Sequence, residues 1–280
     1  MLFDLIAFDL DGTTLNNKKE ISKNNYCALI KAHKTGIKLV PCTGRSMYEL
    51  PGELNRLIDE FGFSVFPCVI TDNGAQVYDL SKKELLYSKV IPKAEALEII
   101  ALSRKQLALT YGTFGIQGAT DNKGLAWEAE EAKPFIRKYH ETWDLPEADL
   151  SELIEWNDSI VKVSMNFIHE KDRKKCFDEF SLWPGLSLSS AAPLNIELMS
   201  AGICKGEALK YVCRYQNIPM ERAMAIGDNM NDIEMIQWAG FGVAMGNAVP
   251  EVKEKAAWIT AGNDDDGLAL AIEKMLAEKP

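Results

Sequence analysis

The first eighty positions alternate short apolar runs with stretches of helical period, a rhythm that predicts βαβ units and a parallel sheet. Residues 2–8 read as a buried strand, and Ser22 can cap a helix that runs to Lys34 and stops at Gly36. Residues 37–40 then form a second strand. A further helix begins at Ser46 and is disturbed at Pro51, and residues 66–71 give a third strand that breaks at Asn73-Gly74. From about Lys82 the pattern changes: strand-like runs at 85–91 and 160–167 alternate with helical ones at 94–107 and 128–139, as in a separate α+β unit. The α/β rhythm returns near Leu194, with strands at 196–199, 223–226 and 242–244 and a closing helix over 268–276. Neither half alone completes a doubly wound parallel sheet. The economical reading is therefore a core split between residues 1–81 and 194–280, with 82–193 as an inserted domain.

Composition narrows the class. Lys+Arg 31 against Asp+Glu 41 leaves a formal charge of −10, and no long basic block exists, so a nucleic-acid partner is not expected. With 47% hydrophobic and 26% charged residues the chain can bury a core, which excludes disordered and fibrous classes. No window approaches the ~18 uninterrupted apolar residues of a membrane span, and the acidic start has no basic n-region. A soluble cytoplasmic protein is the expectation, with its scattered cysteines buried or reduced.

Chemistry concentrates at the predicted strand ends, where open parallel sheets bind ligands. The first strand exits through Asp9-Leu10-Asp11-Gly12-Thr13, two carboxylates beside a glycine that allows a sharp turn, an arrangement suited to a hard cation. The loop lacks the sixth-position glycine and twelfth-position glutamate of an EF-hand. Gly227-Asp228-Asn229-Met230-Asn231-Asp232 follows another apolar strand, and acids converging there would repel unless a cation stood between them. Helix capping explains only one of these residues. Thr43-Gly44-Arg45 follows the second strand and can grip an anion through a hydroxyl and backbone amides. Lys205-Gly206 opens a helix after a turn and can neutralise both phosphate and acids. The chain has no P-loop, no dinucleotide glycine loop, no nucleophile elbow and no H-E-x-x-H. Asp264-Asp265-Asp266 before the last helix reads first as a cap.

In order and spacing these four segments resemble the motifs of the haloacid dehalogenase (HAD) superfamily. The insert, with Asn73-Gly74-Ala75 and residues 242–248, resembles the Cof-type subfamily IIB branch, and the resemblance spans nearly the whole chain. It implies an α/β fold, a doubly wound parallel sheet with a Rossmann-like core and an inserted α+β cap. It also implies a phosphatase in which Asp9 attacks phosphorus and Asp11 serves as general acid, then base. Mg²⁺ would be held by the Asp9 side chain, the Asp11 carbonyl and Asp228, with Asp232 orienting metal-bound water. Thr43, Gly44, Lys205 and Asn231 would hold the phosphate. Thr14 stands where many relatives have leucine, and Pro41-Cys42 replace smaller residues.

The substrate implied is a small phosphorylated metabolite, a sugar phosphate or phosphorylated cofactor, bound by a monomer or weak homodimer without nucleic acid or membrane. A phosphosugar mutase, a phospho-aspartate signalling module and an inactive binding protein are the alternatives. In a capped hydrolase the insert faces the leaving group, so Trp127, Trp156 and Asn166 are specificity candidates, although core packing is expected of each tryptophan.

Overall fold

The structure is a computed structural model that describes residues 3–50, 52–62, 65–137, 145–157, 159–190 and 192–277. Leu2, Pro51 and the end of the helix expected over 128–139 lie outside the described residues. The chain divides into two units. The first comprises 1–45, 50–87 and 204–280, and the second comprises 46–49 and 88–203.

The first unit is built on a five-stranded parallel sheet. Its strands are β1 (Leu5–Phe8), β2 (Lys38–Pro41), β12 (Ala223–Gly227), β13 (Phe241–Ala244) and β14 (Trp258–Ile259), in the order β14-β13-β12-β1-β2. The central strands are buried on both faces, which is why they read as uninterrupted apolar runs. Helix α1 (Lys23–Lys34) starts where Ser22 accepts the Asn25 N–H and ends before Gly36, whose φ of +88° gives the left-handed turn that a glycine adopts at least cost. Beyond β2, Cys42 bridges in parallel to Ile70 of β3 (Val69–Thr71), which begins a small sheet with β4 (Gln76–Asp79) and β5 (Glu84–Ser88). Where a helix was expected from Ser46, the chain makes a short turn over Met47–Glu49, and helix α2 begins only at Gly52 (Gly52–Phe61).

The second unit carries a six-stranded sheet, β10-β11-β9-β6-β7-β8, antiparallel apart from its β7–β8 pair. Its strands are β6 (Ala108–Phe114), β7 (Gln117–Asp121), β8 (Glu147–Ala148), β9 (Ile160–Phe167), β10 (Leu186–Ser189) and β11 (Asn195–Ser200). On β9, Val163, Met165 and Phe167 join an apolar cluster with Ile99, Ile154 and Phe180 from three helices, α3 (Lys93–Ser103), α5 (Leu150–Trp156) and α6 (Glu170–Phe180), numbered with α4 at Leu125–Glu128. Lys162 and Ser164 alternate onto the other face, where Lys162 Nζ lies 3.8 Å from both Glu49 and Glu197. The strand expected over 196–199 as the return of the core is β11, paired with β9 and β10 in this sheet, so the first unit resumes at Cys204 rather than 194. Trp156 is 94% exposed, against the expectation of core packing, while Trp127 is half-buried.

Candidate active site

Four chain segments of the first unit meet at the carboxyl ends of β1, β2 and β12. Asp9 extends β1 by one residue, its N–H donating to the Ile226 carbonyl of β12. The turn that follows is held from several sides. The Thr14 hydroxyl donates to the Asp9 carbonyl at 2.6 Å, and Gly12 takes φ +79° with no room for a Cβ against the Asp228 carboxylate. Asn247 donates to the Gly12 carbonyl at 2.8 Å.

Lys205 is the first residue of α7 (Lys205–Tyr215) and is wholly buried. Its Nζ lies 2.6 Å from Asp9 Oδ1 and 2.6 Å from Asp232 Oδ1. The other Asp232 oxygen accepts the backbone N–H groups of Asp228 and Asn229 at 2.9 and 3.0 Å, so this buried carboxylate fixes the loop that presents Asp228. Asp228 in turn accepts the Thr13 hydroxyl at 2.8 Å. Oxygens of Asp9, Asp228 and Asp232 all fall within 4.8 Å of one another.

The charges follow from this packing. Three carboxylates face one ammonium, an excess of two negative charges in a largely dry setting. Burial drives the Asp9 carboxyl well up, opposed by Lys205 and reinforced by Asp232 and Asp228. Burial and then the Asp232 charge push Asp228 up to about 6. Burial favours neutral Lys205, but the Asp232 and Asp9 carboxylates outweigh it and hold the ammonium protonated. A divalent cation would balance the excess, and the hard oxygens of Asp9 and Asp228, with Asp232 close by, suit Mg²⁺, so the residues present fit such an ion.

Asp11 stands apart from this group. Its carboxylate is bracketed by Arg45, at 2.6 and 2.8 Å, and by Lys19 at 2.7 Å. Burial would raise this carboxyl, yet the hydrogen bonds and charges of Arg45 and then Lys19 prevail and hold it at about 2. Thr43 and Gly44 lie just past β2, with Thr43 N–H donating to the Ile70 carbonyl. Asn231 reaches the same place indirectly: its amide donates to Asn73 Oδ1 at 2.8 Å, and Asn73 N–H donates to the Thr43 carbonyl. The sequence thus marked the strand-end acids and Lys205. It assigned no role to Arg45, Asn73 or Asn247, although each lies in a segment that it singled out.

Asp266, the last of the three acids read as a cap, stands directly before the last helix, and its carbonyl accepts the Leu270 N–H. Asp266 takes a left-handed conformation and accepts the Ser22 hydroxyl and the Asn24 amide, tying the last helix, α8 (Gly267–Ala277), to the start of α1.

A parallel sheet with acids at its strand ends, a buried lysine between them and a separate antiparallel unit define a phosphoryl-transfer hydrolase. The family of haloacid dehalogenase-like hydrolases matches residues 6–272, and the chain belongs to it. Phosphatase YwpJ of Bacillus subtilis is 31% identical over 97% of this chain and 99% of its own. The 5-amino-6-(5-phospho-D-ribitylamino)uracil phosphatase YcsE of the same organism is 32% identical over 96% and 94%. Among solved structures, the HAD subclass IIB sugar phosphatase BT4131 superposes with a TM-score of 0.82 at 25% identity, covering 97% of this chain and 98% of that one. The protein is a phosphoric monoester hydrolase of the Cof-type HAD branch.

Proposed function

We propose that the protein hydrolyses small phosphorylated metabolites with Mg²⁺ and through a phosphoryl group carried on Asp9. The observation that carries this reading is Lys205 set between Asp9 and Asp232, with Asp228 completing the acid group. An Asp9 oxygen attacks phosphorus in line, the bond from phosphorus to the ester oxygen breaks, and Asp11 gives its proton to the departing oxygen. Asp11 then removes a proton from a water molecule, whose oxygen attacks phosphorus and releases inorganic phosphate and free Asp9. Lys205 favours the ionised form of Asp9 and places it, while Thr43, Gly44 and Asn231 hold the phosphoryl oxygens. Asp9, the Asp11 carbonyl and Asp228 would hold the cation, which neutralises those oxygens when bound. To act as an acid Asp11 must give up its bonds to Arg45 and Lys19, after which burial is left to favour its protonated form.

The relatives support an ester of a polyhydroxylated leaving group. One acts on a phosphoribitylaminouracil and one is a sugar phosphatase, so phosphorylated sugars, polyols and flavin precursors are the substrates to test first. The test is release of inorganic phosphate from such a panel and from p-nitrophenyl phosphate, with Mg²⁺ and with EDTA, beside Asp9→Asn. Release that requires the metal and vanishes in Asp9→Asn is expected. Near-native turnover by Asp9→Asn would remove the covalent mechanism.

A further inference from the structure

The turn over Asp72–Gly74 is the most strained stretch among the described residues of the first unit. Asp72, Asn73 and Gly74 have φ of +52°, +57° and +100° in succession, where two of the three are not glycine. Left-handed conformations at residues other than glycine are strained and persist where their surroundings over-determine them. Here the surroundings are the anion-binding segments themselves. Asp72 N–H donates to the Arg45 carbonyl at 3.0 Å, and Asn73 N–H to the Thr43 carbonyl at 3.1 Å. Gly74 leaves no room for a Cβ against the Cys204 carbonyl at the start of the helix that bears Lys205. Asn73 is 3% exposed and its carboxamide oxygen accepts the Asn231 Nδ2 proton at 2.8 Å, and a Cβ on Gly44 would come within 2.8 Å of the same oxygen.

We infer that Asn73 is a positioning residue that fixes which way the Asn231 amide points. A carboxamide can flip, exchanging its oxygen for its NH₂ group, and only the NH₂ end can donate to a phosphoryl oxygen. By accepting one Nδ2 proton, Asn73 Oδ1 locks the orientation and leaves the second proton directed away from itself. The αL backbone of residue 73 is what aims its oxygen between Gly44 and Asn231. Asparagine meets both demands at once, because it tolerates this conformation and its side chain ends in a neutral acceptor. This rests on the reading of Asn231 as a phosphate donor.

The test is a double-mutant cycle with Asn73→Gly and Asn231→Ala, read as kcat/KM for p-nitrophenyl phosphate and as competitive inhibition by inorganic phosphate. Glycine keeps the left-handed backbone without strain and removes only the carboxamide. Asn73→Gly is expected to lower kcat/KM about 10- to 100-fold in the parent and less than threefold when Asn231 is already alanine, with phosphate inhibition weakened in step. An effect of equal size in both backgrounds, or none in the parent, overturns the assignment. Asn73→Asp preserves shape, backbone tolerance and an acceptor, and is the companion should the glycine variant fail to fold. In it the Asn231→Ala penalty should keep its parental size, and collapse of that penalty would count against the inference. If Asn231→Ala were itself harmless, the phosphate-donor reading would fall. If it were costly but uncoupled to residue 73, only the present inference would.

Discussion

Lys205 shows how much a single buried charge can govern. It is the cation wedged among Asp9, Asp232 and Asp228, and no solvent reaches it. Lys205→Met keeps much of the volume and leaves three carboxylates facing one another. In EDTA this variant should lose about 3–5 kcal/mol of stability, the usual cost of removing one partner from a buried ionic group, and saturating Mg²⁺ should return part of it. Denaturant titrations in EDTA and in Mg²⁺ measure both quantities, and a variant as stable as the parent in EDTA would mean that the acids are already protonated in the fold. The chemistry of Lys205, Asp9 and Asp228 was readable in the sequence because each lies within three residues of a glycine at a strand or helix end. The Asn231–Asn73 bond was not, because it joins positions 158 apart and depends on a backbone turn that the dipeptide Asn-Gly only hints at.

At the scale of elements, the second unit shows where the pattern along the chain stopped being informative. A short run such as residues 195–200, with Ile196 and Leu198 alternating with polar neighbours, says strand but not which sheet, and its partners are settled by antiparallel pairing with β9 and β10. The same unit is tied together by Arg104 at the end of α3. Its guanidinium holds both oxygens of Asp121 on β7 at 2.7 Å and one of Asp149, the cap of α5, at 2.7 Å. Asp121 is 1% exposed, so Arg104→Met leaves a buried carboxylate without its cation and should cost about 2–3 kcal/mol near neutral pH. Burial would raise the Asp149 carboxyl, but the Arg104 hydrogen bond and charge hold it below its usual value. A carboxyl depressed on folding contributes stability above its unfolded pKa of about 4 and loses it as pH falls through the folded value. The gap between parent and Arg104→Met should therefore narrow steadily below pH 4 in thermal melts. A gap that stays constant to pH 3 would assign the loss to the packing of the arginine stem rather than to its charge.

For the whole molecule, the division into two units makes a prediction about where ligand energy goes. Every side chain proposed to hold the cation comes from β1, β12 or the loops that follow them, and so belongs to the first unit. That unit carries the uncompensated acid group in the metal-free state. A ligand that binds only the folded form stabilises it by RT ln(1 + [L]/Kd), about 2.7 kcal/mol at a hundredfold excess over Kd. Amides of β1 and β12 that exchange through opening of this unit should slow by about two orders of magnitude when Mg²⁺ replaces EDTA, because 1.4 kcal/mol is a factor of ten. Amides of β6 and β9 should keep their rates, since their ladder closes within the second unit. Hydrogen exchange resolved by peptide reads both sets in one experiment. Equal slowing in both would show that the two units open as one cooperative body. No slowing in either would mean that the acids at the ends of β1 and β12 bind no cation, and the charge balance inferred for the site would have to be met by protons instead.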